Sequence, residues 1–213
     1  MERHKVYTSY NPFFLVPFFL WLAGGAVFQL YLTKQELFLL VNSRHNDVLD
    51  TVMKWVTHMG EGGFIIPVAL LLLLRKQFRN LVFLGAALFA NIGAFLFSQG
   101  LKSYFNYPRP LLYFKEATLI HMLPEWDRYF HRSFPSGHST GAFAIFCFLS
   151  LLLKPGHKGW GVVFFVLALS VAYSRIYLAA HFFADVYMGS IIGALFSILA
   201  VTVFYQKPYL YKT

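Results

Sequence analysis

Apolar positions along this chain do not alternate with polar ones but gather into six runs, at roughly 12–32, 63–74, 81–101, 139–153, 160–180 and 182–205. Most approach the ~20 residues that carry a helix across a ~30 Å hydrocarbon core, so the pattern predicts an all-α bundle of six transmembrane helices. The second run is the short one, since about 12 residues at ~1.5 Å each reach only about 18 Å, and its helix is expected to begin further back, between Thr57 and Gly63. Glu61 would then face the bundle or the surface. The first run follows Arg3, His4 and Lys5, has no small-residue cleavage site, and continues through "WLAGGAVFQLYL", too far for a signal-peptide core. It reads as a retained span.

Two longer segments separate the runs. In "HNDVLDTVMKWVTHMG", Val48, Val52, Val56 and Met59 recur at helical spacing and Asn46 or Asp47 can cap the start, which predicts an interfacial helix. Residues 102–135 mix aromatics, proline and both charge signs, more than a connector needs. No internal repeat, low-complexity tract or separate soluble domain is evident, so residues 1–213 are read as one integral-membrane domain. Gly189 and Gly193 give the last run a small-residue face suited to packing within the bundle.

Composition agrees with the pattern: of 213 residues, 58% are hydrophobic and 13% charged. A formal charge of +9 would suit nucleic acid, but the basic residues are scattered between apolar runs and form no basic soluble face. A membrane surface and an anionic substrate account for it better. Cys147 is the single cysteine, which excludes an intrachain disulfide or a cysteine zinc cluster and leaves a packing role. Lys and Arg divide equally between the two sides, yet the short segments 1–11, "RKQFRN", "KPGHK" and the tail from Gln206 hold them more densely, which favours these as the inside.

On that topology, the remaining polar clusters all fall on one side of the membrane. "KSYFNYPRP" carries Lys102 and Arg109 where the third run exits, "PSGHS" opens the fourth run, and "SRIYLAAHFFAD" joins the fifth to the sixth. Singly, Lys102 and Arg109 fit snorkelling charges and Ser136 a helix cap. His181 and Asp185, four apart on an expected helix, are ionisable groups at a membrane span and costly without a function. Together the clusters specify phosphoryl transfer without a metal or other cofactor. Lys102, Arg109 and Arg175 can hold a dianion; Ser136 and the N–H of Gly137 at a helix start add neutral donors; the two histidines, His138 and His181, supply between them a nucleophile and an acid, and Asp185 can hold one imidazole.

These three stretches resemble, in order and spacing, the signatures of the type 2 phosphatidic acid phosphatase superfamily: Lys-x6-Arg-Pro, Pro-Ser-Gly-His and Ser-Arg-x5-His-x3-Asp. The upstream "NDVLDTVMKWVTHMG" is similar to family members less specifically. The resemblance implies that His181 attacks phosphorus to give a phosphohistidine, that Asp185 orients it, and that His138 protonates the leaving oxygen and then activates water. Lys102, Arg109, Ser136, Gly137 and Arg175 would hold the phosphoryl oxygens.

One histidine must start neutral and the other protonated, so a bell-shaped pH profile is expected, with both limbs between about 5 and 9. Asp185 favours a charged partner and the three cations oppose it; spacing alone leaves that balance open. A site at the membrane surface suits a lipid phosphate, and the resemblance offers phosphatidic acid, phosphatidylglycerol phosphate, undecaprenyl pyrophosphate or lipid A. Lys115, Arg128, His131 and Arg132 could meet a second phosphate or sugar, with Trp126, Tyr129 and Phe130 at the interface. Competing readings are a phosphotransferase using the same first step, a non-catalytic lipid binder or transporter, a vanadate haloperoxidase, and a zinc hydrolase built on the pairs His181–Asp185 and Asp127–His131. No nucleic acid and no obligatory protein partner is expected. Short loops and compact size point to a bacterial inner membrane, with the site on its outer face.

Overall fold

The computed structural model describes residues 8–114, 119–124 and 129–205, and every regular element among them is helical. Asn11 opens α1 (Pro12–Tyr31): its side-chain oxygen accepts from the Phe13 N–H, while its amide donates to the carbonyls of Ser150 and Lys158 at 3.2 and 3.0 Å. Thr33 and Glu36 form a reciprocal capping box for α2 (Lys34–Asn42). Asn46 caps α3 (Asp47–Thr57) by accepting from the Leu49 N–H, so this helix starts where its sequence predicts.

The buried side of α3 is Met53 and Thr57, whereas Val48 and Val52 point outward. Beside lipid, apolarity does not separate the inner face of a helix from the outer one. A 56° bend at Gly60–Glu61 then leads into α4 (Gly62–Leu72). Next, α5 (Leu81–Leu88) passes through a π-helical turn at Phe89–Gly93 into α6 (Ala94–Phe105), which ends at Asn106 in the left-handed region, φ 45°. The short α7 (Pro110–Tyr113) follows, then α8 (Gly137–Leu151), α9 (Trp160–Tyr177) and α10 (Phe183–Tyr205).

Helix length does not establish the expected count of six spans. Four stretches are long and apolar enough to cross a membrane, namely α1, the run from Leu81, α9 and α10; treating the bent α3–α4 pair as one span makes five. At 15 residues, α8 falls short of the ~20 a lipid-facing span needs. Its position explains why: nearly every side chain from Ser139 to Leu151 is buried, enclosed by α10, α9 and α6. A methyl group on Gly193 would lie 2.3 Å from the Thr140 carbonyl oxygen, and one on Gly189 would lie 2.6 Å from that of Ser136. The Gly189–Gly193 face therefore packs within the bundle, and only glycine permits the approach. Cys147 is buried in the same core, as expected of a packing residue. On the outside, Leu20, Leu70, Leu81 and Leu96 form an apolar surface suited to lipid.

Candidate active site

The eight residues of the three signatures come to one end of the bundle. Lys102 lies in the last turn of α6, and Arg109 caps α7. Ser136 caps α8 by accepting from the Ser139 N–H, with Gly137 and His138 in the first turn. Arg175 lies near the end of α9 and Asp185 in the first turn of α10. A cavity of about 600 Å³ brings Lys102, Arg109, Gly137, His138, Arg175 and His181 to one space. The cavity is also lined by Ile65 and Ile66 of α4, Ile92 of the π turn and Phe95 of α6, the last three half-exposed on the outer surface, with Asn91 and Gln99 among them.

His181 is placed differently from the helical i,i+4 pairing expected. It lies in the turn before α10, 1% exposed, with its N–H donating to the Arg175 carbonyl at 3.1 Å. Asp185 reaches back as a cap would: Oδ2 accepts from the Phe182 N–H at 2.9 Å and lies 3.4 Å from His181 Nδ1. Ser133 joins them, donating from Oγ to the same Oδ2 and standing 3.5 Å from Nδ1. Burial, followed by the charges of Arg109, Lys102 and Arg175, pushes the His181 imidazole well below its ordinary range. The balance that spacing left open thus falls on the neutral ring.

Two of the cations are held by the backbone of the segment between α7 and α8. Lys102 Nζ donates to the Arg132 carbonyl at 3.2 Å, and Arg109 Nε donates to that of His131 at 3.0 Å, with its guanidinium 4.8 Å from the Tyr129 ring centroid. Arg132 itself adopts φ 59°, and its guanidinium donates to Ser103 Oγ. His131 and Arg132 therefore supply carbonyls to the cations, a use the sequence did not suggest. Lys115, Trp126, Asp127 and Arg128 lie outside the described residues. Arg175 Nη1 donates to Thr57 Oγ1 at 2.7 Å, while its Nε is buried without a partner among the described residues.

His138 Nε2 lies 2.9 Å from Glu61 Oε1, and Glu61 Oε2 lies 3.1 Å from His58 Nδ1. Glu61 therefore faces the cavity. Ser133, Thr57 and Glu61 were missed as site residues because each is a single polar residue with no motif spacing. A further polar cluster steadies the end of α9: Asn42 donates to the Tyr177 and His121 carbonyls at 2.8 and 3.0 Å, and Asp50 accepts from the Tyr177 hydroxyl. Among the described residues, no group of three His, Cys, Asp or Glu is placed to share a metal ion.

The chain matches the family described as PAP2 superfamily over residues 80–209. It belongs to that superfamily. Undecaprenyl-diphosphatase BcrC of Bacillus subtilis (strain 168) is 31% identical over 156 residues, which cover 72% of this chain and 73% of that protein. Lipid A 1-phosphatase of Rhizobium johnstonii is 29% identical over 172 residues, 74% of this chain and 68% of that one. Among solved structures, Aquifex aeolicus LpxE aligns with a TM-score of 0.65 at 28% identity, over 79% of this chain and 94% of that one. The transmembrane PAP2 type phosphatidylglycerolphosphate phosphatase of Bacillus subtilis aligns with a TM-score of 0.69 over 96% of this chain and all of that one; at 24% identity it speaks for the fold alone. This PAP2 protein is an integral membrane protein with an all-helical fold.

Proposed function

We propose that this PAP2 protein hydrolyses the phosphomonoester or pyrophosphate of a membrane lipid through a phosphohistidine at His181. The observation that carries the reading is one cavity with three cations and two histidines at one end and an apolar wall open to the outer surface at the other. Lys102, Arg109 and Arg175, with the Gly137 N–H at the α8 N-terminus, would hold the phosphoryl oxygens, while Ser136, expected beside them, is buried behind the cavity and bonded to Ser139. Since Nδ1 of His181 faces Asp185 and Ser133, Nε2 is the nitrogen left to attack. As the N–P bond forms and the P–O bond to the lipid breaks, His138 gives its proton to the leaving oxygen. In the second step His138 takes a proton from water, whose oxygen attacks phosphorus, and the N–P bond breaks to release phosphate and neutral His181. Both histidines end as they began, so the cycle needs no metal.

The apolar wall favours a substrate whose tail remains in lipid, with phosphatidic acid, phosphatidylglycerol phosphate, undecaprenyl pyrophosphate and lipid A as the classes to compare. The same reading puts the site on the outer face of a bacterial cytoplasmic membrane, supported by the density of Lys and Arg in the short segments on the opposite side. The decisive experiment measures phosphate release from these lipids in detergent, with a chelator present, for the native chain and His181→Ala. Chelator-resistant release that disappears in the variant, together with an acid-labile phosphoryl label on the native protein, is expected. Release that survives in His181→Ala would overturn the nucleophile, and release lost to the chelator alone would overturn the metal-free cycle.

A further inference from the structure

We infer that Glu61 is a positioning residue for His138, holding its ring for proton transfer to the leaving oxygen, and that His58 holds Glu61 in turn. This rests on the reading of His138 as the acid of the proposed reaction. The geometry is a continuous chain: His138 Nε2 to Glu61 Oε1 at 2.9 Å, then Glu61 Oε2 to His58 Nδ1 at 3.1 Å, with the His58 side chain 52% exposed. A carboxylate on one ring nitrogen fixes the orientation of an imidazole and stabilises the imidazolium, as in other acid–base sites.

The bend between α3 and α4 is built to make this contact. A methyl group on Gly60 would lie 2.4 Å from the His138 carbonyl oxygen, and one on Gly141 would lie 2.5 Å from the Gly60 carbonyl oxygen. Two glycines thus let the bend lie directly on the first turn of α8. Glu61 then follows as the N-cap residue of α4, yet its side chain makes no capping hydrogen bond to that helix. Its carboxylate is turned to the two histidines instead, and both it and His138 line the cavity. Thr57, one turn earlier, grips Arg175. The bend therefore serves the phosphate-binding side of the cavity and the leaving-group side at once.

The test exploits the leaving group. A lipid alkoxide needs a proton as it departs, whereas p-nitrophenolate departs without one, so loss of a positioned acid falls on the first and spares the second. In Glu61→Gln, kcat/KM for phosphatidic acid in detergent micelles is expected to fall about 10–100-fold, while kcat/KM for p-nitrophenyl phosphate changes by less than about threefold. His58→Ala, on an exposed ring, is expected to move the same ratio in the same direction by about threefold. Equal losses on both substrates in Glu61→Gln, or no loss on either, would overturn the inference. If Glu61→Gln does not fold, an unchanged ratio in His58→Ala would overturn the role given to His58, and a lowered ratio would support the chain. His138→Ala, run alongside, separates the two levels. A selective loss there with none in Glu61→Gln overturns only the role of Glu61, whereas an unselective loss in His138→Ala overturns the acid itself.

Discussion

The two histidines of the cavity differ in the partner each ring meets. His181 is enclosed in the turn between α9 and α10, its Nδ1 facing a carboxylate that a serine and a backbone N–H already engage. His138 stands on the first turn of α8, joined through Glu61 to an exposed imidazole. Burial that disfavours charge on a ring suits a nucleophile; on the other ring the Glu61 carboxylate counters the burial and the Arg175 and Lys102 charges that oppose a proton there. One cavity thus separates two identical side chains by what surrounds each, and substitutions on the two sides should fail in different ways.

The largest effect is expected from His181→Ala, which should lower phosphate release about 10⁴-fold or more and remove any phosphoryl label from the protein. Asp185→Asn should follow, with kcat reduced about 10²–10³-fold and KM nearly unchanged, because the ring loses its orienting anion but the cations remain. A parallel rise in KM of the same size would instead mark Asp185 as part of substrate binding. Ser133→Ala is smaller: Asp185 keeps the Phe182 N–H but loses the serine hydroxyl, and about a tenfold fall in kcat is expected. If Ser133→Ala has no effect, the contact with His181 Nδ1 is incidental.

The pH profile sharpens the contrast without a substitution. His181 must be neutral to attack, and its proton affinity is depressed by burial and then by Arg109, Lys102 and Arg175. Activity that depends on the neutral ring is therefore retained as pH falls through about 6.5, the ordinary value, and lost only well below it. An acid limb of kcat/KM at or above 6.5 would contradict the depressed affinity. This moves the limb to the lower edge of the window of about 5–9 expected from the sequence, or beneath it.

The motifs were legible because their residues are local in the chain: Lys102 and Arg109 flank one helix end, Ser136 to His138 form one turn, and Arg175 to Asp185 cross one junction. Their assembly followed from the order of the apolar runs. What spacing could not give was the partner of each group. Glu61 meets His138 across 77 positions, and Arg175 meets Thr57 across 118. Neither has a periodicity: the first depends on a bend that two glycines make possible, the second on α3 packing against α9. The count of spans failed to close for a related reason: hydropathy marks what is apolar, and α8 is apolar because it is enclosed by protein, which removes the length that lipid contact would impose.

On the proposed reading, the wall formed by Ile65, Ile66, Ile92 and Phe95 sets the kind of concentration that governs the rate. A ligand that arrives sideways is counted per lipid in a two-dimensional film, so the rate should follow the mole fraction of substrate in the bilayer and fall on dilution with inert lipid. Diluting the suspension with buffer would leave it unchanged. The two products part by phase, the dephosphorylated lipid into the film and phosphate into water, and neither has to clear the path of the other.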